Sequence, residues 1–367
     1  MSELINHPLR RDMLRHLLTT VSALTLCVVA AAPALAEDAS RPALWVELGG
    51  QLERVSGESA VFAPFFLAAH AGEPAFAHGT PIDAQALPRY AKGLEGKIAF
   101  TPEGSDWTFS AGLLYGRSNG DKRVQYQTPG KPLPGGFFAG NPNYDPAKNV
   151  AFTDTRGKDR EGHLILDFKA GKDVGLGAAN LSLGIRFAQF TSEKSAHMRV
   201  RPDVQFTQVI GLYLPYMSTF TANAESKRSF TGIGPSISLD GSTKLAGDSR
   251  KSFTFDWGAS GAVLFGRQKA GVTHETSKII WDGGNFLYHT NYVYDHPYAP
   301  PARNHSRVVP DLGGFAGFSV RYSNAKISLG YRADFFFGAM DTGIELRKTA
   351  NVGFHGPFAT VSVGLGG

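Results

Sequence analysis

The sequence predicts an all-β fold, an antiparallel transmembrane β-barrel of about ten strands (twelve at most) with short periplasmic turns and long extracellular loops. Three observations carry this. Between Ser229 and Arg267 the chain alternates bulky apolar with small or polar residues, every second position. Only 19% of the 367 residues are charged, while the chain carries 43 Gly, 26 Phe and 12 Tyr. After residue 40 no run approaches the ~18 apolar residues of a membrane helix, so any membrane crossing must use strands.

The Ser229–Arg267 stretch sets the pattern. Ile233, Pro235, Ile237 and Leu239 alternate with Gly234, Ser236, Ser238 and Asp240. After a polar turn, Phe253, Phe255, Trp257, Ala259, Gly261, Val263 and Phe265 alternate with Ser252, Thr254, Asp256, Gly258, Ser260, Ala262 and Leu264. A period of two puts each set on one face of a sheet. The second run outlasts the usual five or six residues of a globular strand and matches a tilted membrane crossing of about 9–11. The apolar face is therefore assigned to lipid and the small, polar face to the lumen. A soluble sandwich or lipocalin-like barrel, with the faces reversed, would expose longer polar side chains than these glycines and serines.

The N-terminus reads as a secretory signal over residues 1–36, leaving a barrel domain over 37–367. Arg10, Arg11 and Arg15 supply the charged region, Leu17 to Ala32 the apolar core, and Ala34-Leu35-Ala36 the small-residue site, with cleavage after Ala36. The one cysteine, Cys27, falls inside that core, and Leu24-Thr25-Leu26 lacks the small residue that lipoprotein processing prefers. An exported chain without disulfides needs another source of stability, which a closed ring of paired strands supplies.

Along the chain the same grammar recurs. Leu44, Val46, Leu48 and Leu52 face out against Glu47, Gly49, Gln51 and Glu53. Leu94, Ile98 and Phe100 oppose Glu95 and Lys97. A Pro102–Asp106 turn leads to Trp107, Phe109, Leu113 and Tyr115, opposed by Ser110 and Gly112. Leu164, Leu166 and Phe168 oppose Asp167 and Lys169, and Leu181, Leu183, Ile185 and Phe187 oppose Ser182, Gly184 and Arg186. Phe318, Val320 and Tyr322 turn at Ser323-Asn324 into Ile327, Leu329, Tyr331 and Phe335, with Arg321, Arg332 and Asp334 opposite. A last strand spans about Phe354 to Leu365. The intervening segments (56–92, 118–162, 191–228 and 268–310) read as long loops. Within them Val204–Tyr216 leaves three readings open: a strand pair, a loop helix, or a plug folded into the lumen.

The inward charges are the candidate functional residues: Glu47, Glu95, Lys97, Asp167, Lys169, Arg186, Asp256, Arg321, Arg332 and Asp334. Such groups either pair in a stabilising network or line a selective pore. Phe100, Trp107 and Tyr322 lie at the periplasmic strand ends, where an interfacial aromatic girdle belongs. Trp45 sits at that level with the opposite parity. His274, His289, His296 and His305 lack short metal-ligand spacing, so no metal or cofactor is expected. Gly258-Ala259-Ser260-Gly261 lies inside a strand and lacks the serine-elbow pattern, and no enzyme is expected. A net charge of +5 does not argue for nucleic acid.

The runs RSFTGIGPSISLDGSTKLAG (228–247), FDWGASGAVLFGRQKA (255–270), SNAKISLGYRADFFFGAMDTGIE (323–345) and GPFATVSVGLG (356–366) resemble a group of bacterial outer-membrane barrels. These are the pore-forming proteins similar to the Legionella major outer-membrane protein, with alphaproteobacterial relatives. The chain ends Leu365-Gly366-Gly367, without the terminal aromatic that many such barrels carry. The resemblance implies residence in the Gram-negative outer membrane and a pore or structural role, and the function expected is a small, porin-like passive channel for polar solutes or ions. The partners it implies are outer-membrane lipid and lipopolysaccharide, the barrel-assembly machinery, and small polar solutes. A non-conducting surface barrel that works through its loops is the competing expectation.

Overall fold

The computed structural model describes residues 44–57, 91–130, 132, 147, 150–174, 179–201, 205–209, 212–248, 251–282, 290–343 and 346–365. The signal segment and most of the first long loop lie outside them. Among the described residues twelve strands run in order: β1 (Leu44–Gly57), β2 (Ala91–Phe100), β3 (Trp107–Thr128), β4 (Ala151–Asp173), β5 (Ala179–Arg201), β6 (Gln205–Val209), β7 (Leu212–Gly247), β8 (Lys251–Asp282), β9 (Thr290–Tyr298), β10 (Arg303–Tyr322), β11 (Ala325–Asp341) and β12 (Thr349–Leu365).

Ten of them close a ring in the order β1-β2-β3-β4-β5-β7-β8-β10-β11-β12, every pairing antiparallel. Closure runs from Leu44 opposite Leu365 to Gly57 opposite Val352. A closed ring leaves no ring strand with an unpaired edge, which lets the backbone cross hydrocarbon. The remaining two, β6 and β9, pair only with β7 and β8, at the extracellular end.

The outward face is apolar over one continuous band. Ile98, Phe109, Phe168, Leu183, Ile237, Val263, Phe318, Leu329 and Val361 all point away from the barrel. On strand after strand that face turns polar beyond one level: Leu52 is followed two residues on by Arg54, Leu94 is preceded by Lys92, Tyr115 is followed by Arg117, and Phe265 by Arg267. Phe100, Trp107 and Tyr322 project outward at the opposite, periplasmic ends. There the connections are tight: Ser105 N–H donates to the Pro102 carbonyl at 3.1 Å, and Ser323 takes φ 52° in a two-residue hairpin turn.

The sequence reading stopped the strands too early at the extracellular side. Within the segments expected as loops, residues 118–128, 151–162, 191–201, 205–209, 212–228, 268–282, 290–298 and 303–310 are strand, and β7 and β8 extend well past the apolar band. The physical reason is a change of solvent. Above the band the outward positions face water and become polar, while a run of inward ones turns apolar: Met198, Val200, Phe220, Ala222, Ala224 and Val272 form a buried cluster there. The alternation survives with its sign reversed. His274 and His305 accordingly lie in β8 and β10, not in an exposed loop. For Val204–Tyr216 the strand-pair option holds, since Gln205–Val209 pairs with Leu212–Tyr216.

Candidate functional site

The lumen is built from the inward positions of all ten ring strands, and it is layered. Nearest the periplasm, Asp256 accepts hydrogen bonds from Ser242 (2.6 Å) and Thr254 (3.0 Å), and the Lys326 ammonium lies 2.6 Å away. Ser319 also donates to Asp256 and lies 2.9 Å from Ser328. Glu47 accepts from Ser362 at 2.7 Å. Arg321 stacks its guanidinium 5.0 Å from the centre of the Trp45 ring, which explains the parity of that tryptophan. It faces inward and carries a cation on its π face.

The next layer centres on Arg186. Its fork grips Asp167 through Nε and Nη2 at 2.8 and 2.9 Å, and Nη1 reaches Asp311 on β10 at 2.9 Å. Lys169 stands 3.6 Å from Asp167. Arg332 pairs with Glu95 and lies over the rings of Phe315 and Phe358 at 5.6 and 5.3 Å. Glu95, Lys97, Asp167, Lys169, Arg186, Arg332 and Asp334 line one cavity of about 230 Å³. Seven of the ten residues named from sequence thus meet around it, while Glu47, Asp256 and Arg321 lie outside its lining. Asp311 was missed, although Leu312 continues the outward run of Ala316–Tyr322 and so turns Asp311 inward.

Above this layer the lumen is apolar. Leu114, Ile165, Ala188, Phe190, Phe230, Leu264, Val309, Phe336, Ala339, Met340 and Phe354 pack into one buried cluster. Phe190 on β5 meets Phe336 on β11 at 4.5 Å between ring centres and Phe354 on β12 at 5.5 Å. Those strands stand on opposite sides of the ring, so the rings bridge the bore. The result is a septum at the outer end of the apolar band.

A buried acid–base pair is set into its side. Glu53 and His163 have side chains 0% and 1% exposed, with Oε1 and Nε2 3.3 Å apart, and His163 lies against Phe354 at 3.9 Å. The niche exists because β2 and β3 present glycines there: a Cβ on Gly93 would meet the Glu53 carboxylate, and one on Gly116 would overlap both Glu53 and His163. Gly116→Ala should therefore cost the barrel about 1–3 kcal/mol through overpacking, measured as a shift in its urea unfolding midpoint. An unchanged midpoint would show that the pair has room to move. Among the described residues no group of three His, Cys, Asp or Glu side chains could hold a metal ion.

No family model matches the chain, and no curated protein does. Solved structures align at low scores. The translocator domain of the autotransporter NalP from Neisseria meningitidis aligns at 13% identity over 96% of this chain and 95% of that one, with a TM-score of 0.26. The beta domain of the Bordetella autotransporter Brka gives 9% identity, 89% and 100% coverage and a TM-score of 0.20. The CymD monoaromatic hydrocarbon channel gives 8%, 89% and 90%, and 0.21. Scores this low carry no functional argument. The outer-membrane character of the fold rests on the closed ring and its outward apolar band.

Proposed function

We propose that this chain is an outer-membrane barrel whose lumen is shut at rest, serving as a surface scaffold through the tall sheet that β5, β7 and β8 raise above the membrane. The observation that carries the reading is the septum. Phe190, Phe230, Phe336 and Phe354, all buried, cross the bore with no polar atom among their side chains. Small barrels are filled by their own side chains, whereas an aqueous channel belongs to rings of 16–18 strands. The charged layer below is mostly paired, which suits a stabilising network better than a selectivity ring. Resemblance to pore-forming barrels, together with the cavity of about 230 Å³, favours the second reading, a narrow pore for small polar solutes or ions.

The deciding measurement is single-channel conductance of the protein purified from outer membranes and inserted in planar bilayers. Heat-modifiable, folded barrels should give no discrete steps. Reproducible steps from the unmodified protein would replace the scaffold reading with the pore. Ion substitution would then show whether Arg186, Arg321 and Arg332 or the acidic residues dominate the lumen.

A further inference from the structure

At the extracellular rim of the apolar band, three neighbouring strands turn to the same charge. Arg54 on β1, Lys92 on β2 and Arg117 on β3 are exposed and point outward. Each stands one outward step beyond an apolar residue of the band: Leu52, Leu94 and Tyr115. Register sets the three side by side. Lys92 is directly opposite Arg117, and it is also opposite Leu52, which puts Arg54 on its diagonal. Directly opposed side chains of a sheet start about 5 Å apart and diagonal ones about 7–8 Å, and like charges at the shorter spacing are destabilising.

The protein itself does not offset that repulsion. The side chains of Arg54, Lys92 and Arg117 have no hydrogen-bond or ion-pair partner among the described residues. Glu53, next in sequence to Arg54, points into the barrel beside His163. Higher on the same wall, in water, cations are neutralised. Arg123 grips Asp154 with two N–H groups at 2.9 and 2.8 Å, and Arg156 donates to Asp121 at 2.9 Å. The bond from Arg123 holds the Asp154 carboxyl below its usual range. The unpaired row also has edges. Arg160, on the diagonal from Arg117, stands opposite Glu193, and Arg54 stands opposite His355, whose Nδ1 lies 2.7 Å from the Tyr331 hydroxyl. On the far wall Arg267 and Lys269 face Thr231, Ser306, Ser229 and Asn304, so no second cation opposes them.

We infer that Arg54, Lys92 and Arg117 form a binding site for the phosphates of an outer-leaflet lipid whose acyl chains lie on the apolar band below. The inference goes beyond the scaffold reading. It rests on the membrane placement in that reading and is indifferent to whether the lumen conducts. The occupant must carry anions at the level of the three cations and hydrocarbon directly beneath, where Leu52, Leu94 and Tyr115 face out. A free phosphate meets only the first need. Basic clusters at a membrane edge attract anionic headgroups, and an arginine adds two-pronged bonds to phosphate. Two strand intervals separate Arg54 from Arg117, about 10 Å. That width suits a headgroup with two phosphates, as in the glycolipid class of lipopolysaccharide.

The test titrates bisphosphorylated lipid A into detergent-purified, delipidated protein and reads the bound fraction by native mass spectrometry. Wild type is compared with Arg54→Gln/Lys92→Gln/Arg117→Gln and with Arg123→Gln/Arg156→Gln/Lys158→Gln, which removes three charges higher on the same wall. Each is checked for heat-modifiable migration, and Lys92→Gln alone, with an expected threefold loss, replaces the rim variant if that one does not fold. The rim variant should bind at least tenfold more weakly than wild type, and the upper variant within twofold of it. Wild type should also prefer the lipid at least tenfold over the same lipid stripped of its phosphates. Undiminished binding by the rim variant, an equal loss in both variants, or indifference to the phosphates would overturn the site. A wild type that stays monodisperse without detergent would overturn the membrane placement itself.

Discussion

Replacing Arg186 with Ala should destabilise the folded barrel by about 3–5 kcal/mol, the usual cost of breaking a buried ion pair by removing one partner. Arg186 is 4% exposed and faces Asp167 through a two-pronged contact and Asp311 through a third N–H. Without it, two carboxylates remain buried on opposite walls, and one Asp311 oxygen already lacks a partner among the described residues. Lys169, 3.6 Å from Asp167, cannot reach both. Arg186→Lys keeps the charge but loses the planar fork, so an intermediate loss is expected. The double change Arg186→Met, Asp311→Asn should recover most of the stability, because Lys169 is left to pair with Asp167 and Asp311 is no longer charged. Urea unfolding of liposome-reconstituted barrels, followed by heat-modifiable mobility, reads all three. Wild-type stability in Arg186→Ala would mean that water in the adjacent cavity solvates the carboxylates, and that the network is not structural.

How much of this was legible in the sequence follows from what surrounds each strand. Within the membrane, lipid demands bulk outside and the bore tolerates small residues inside, so the period-two reading found the right face on every ring strand. Pairs between neighbouring strands follow from register: Asp167 stands opposite Arg186 once β4 and β5 are placed. Contacts across the bore do not. That Arg186 also meets Asp311, or Phe190 meets Phe336, depends on ring closure and strand stagger, which no local pattern encodes. The extracellular half was hidden for a different reason. With water outside, the outward residues no longer advertise a strand, and only the quieter inward row (Phe220, Ala222, Ala224) remains. The irregular outer end of β11 was the least legible of all. Phe335, Phe336 and Phe337 read as continued alternation, and Gly338 gave the sole hint that β11 departs from it two residues later.

Leu183→Arg should cost about 2–4 kcal/mol, the range for an arginine on the lipid face near the bilayer midplane. Leu183 is 61% exposed on the outside of β5, flanked on the same face by Leu181 and Ile185. Its ladder partners Ala170 and Ile237 lie on the same apolar band. The informative comparison is Glu193→Arg. Glu193 shares that strand and that face but sits above the level where the outward row turns polar, between Thr191 and Ser195. An arginine there meets water but stands opposite Arg160 and Lys227, so it should cost no more than about 1 kcal/mol. A loss at Leu183 well above that at Glu193 is assigned to lipid, since the cross-strand charges at Glu193 only add to the cost there. Equal, large losses would mean that β5 tolerates no outward cation for reasons of packing. Equal, negligible losses would place the exposed apolar face in water and reverse the assignment of inside and outside on which the lumen and the septum both depend.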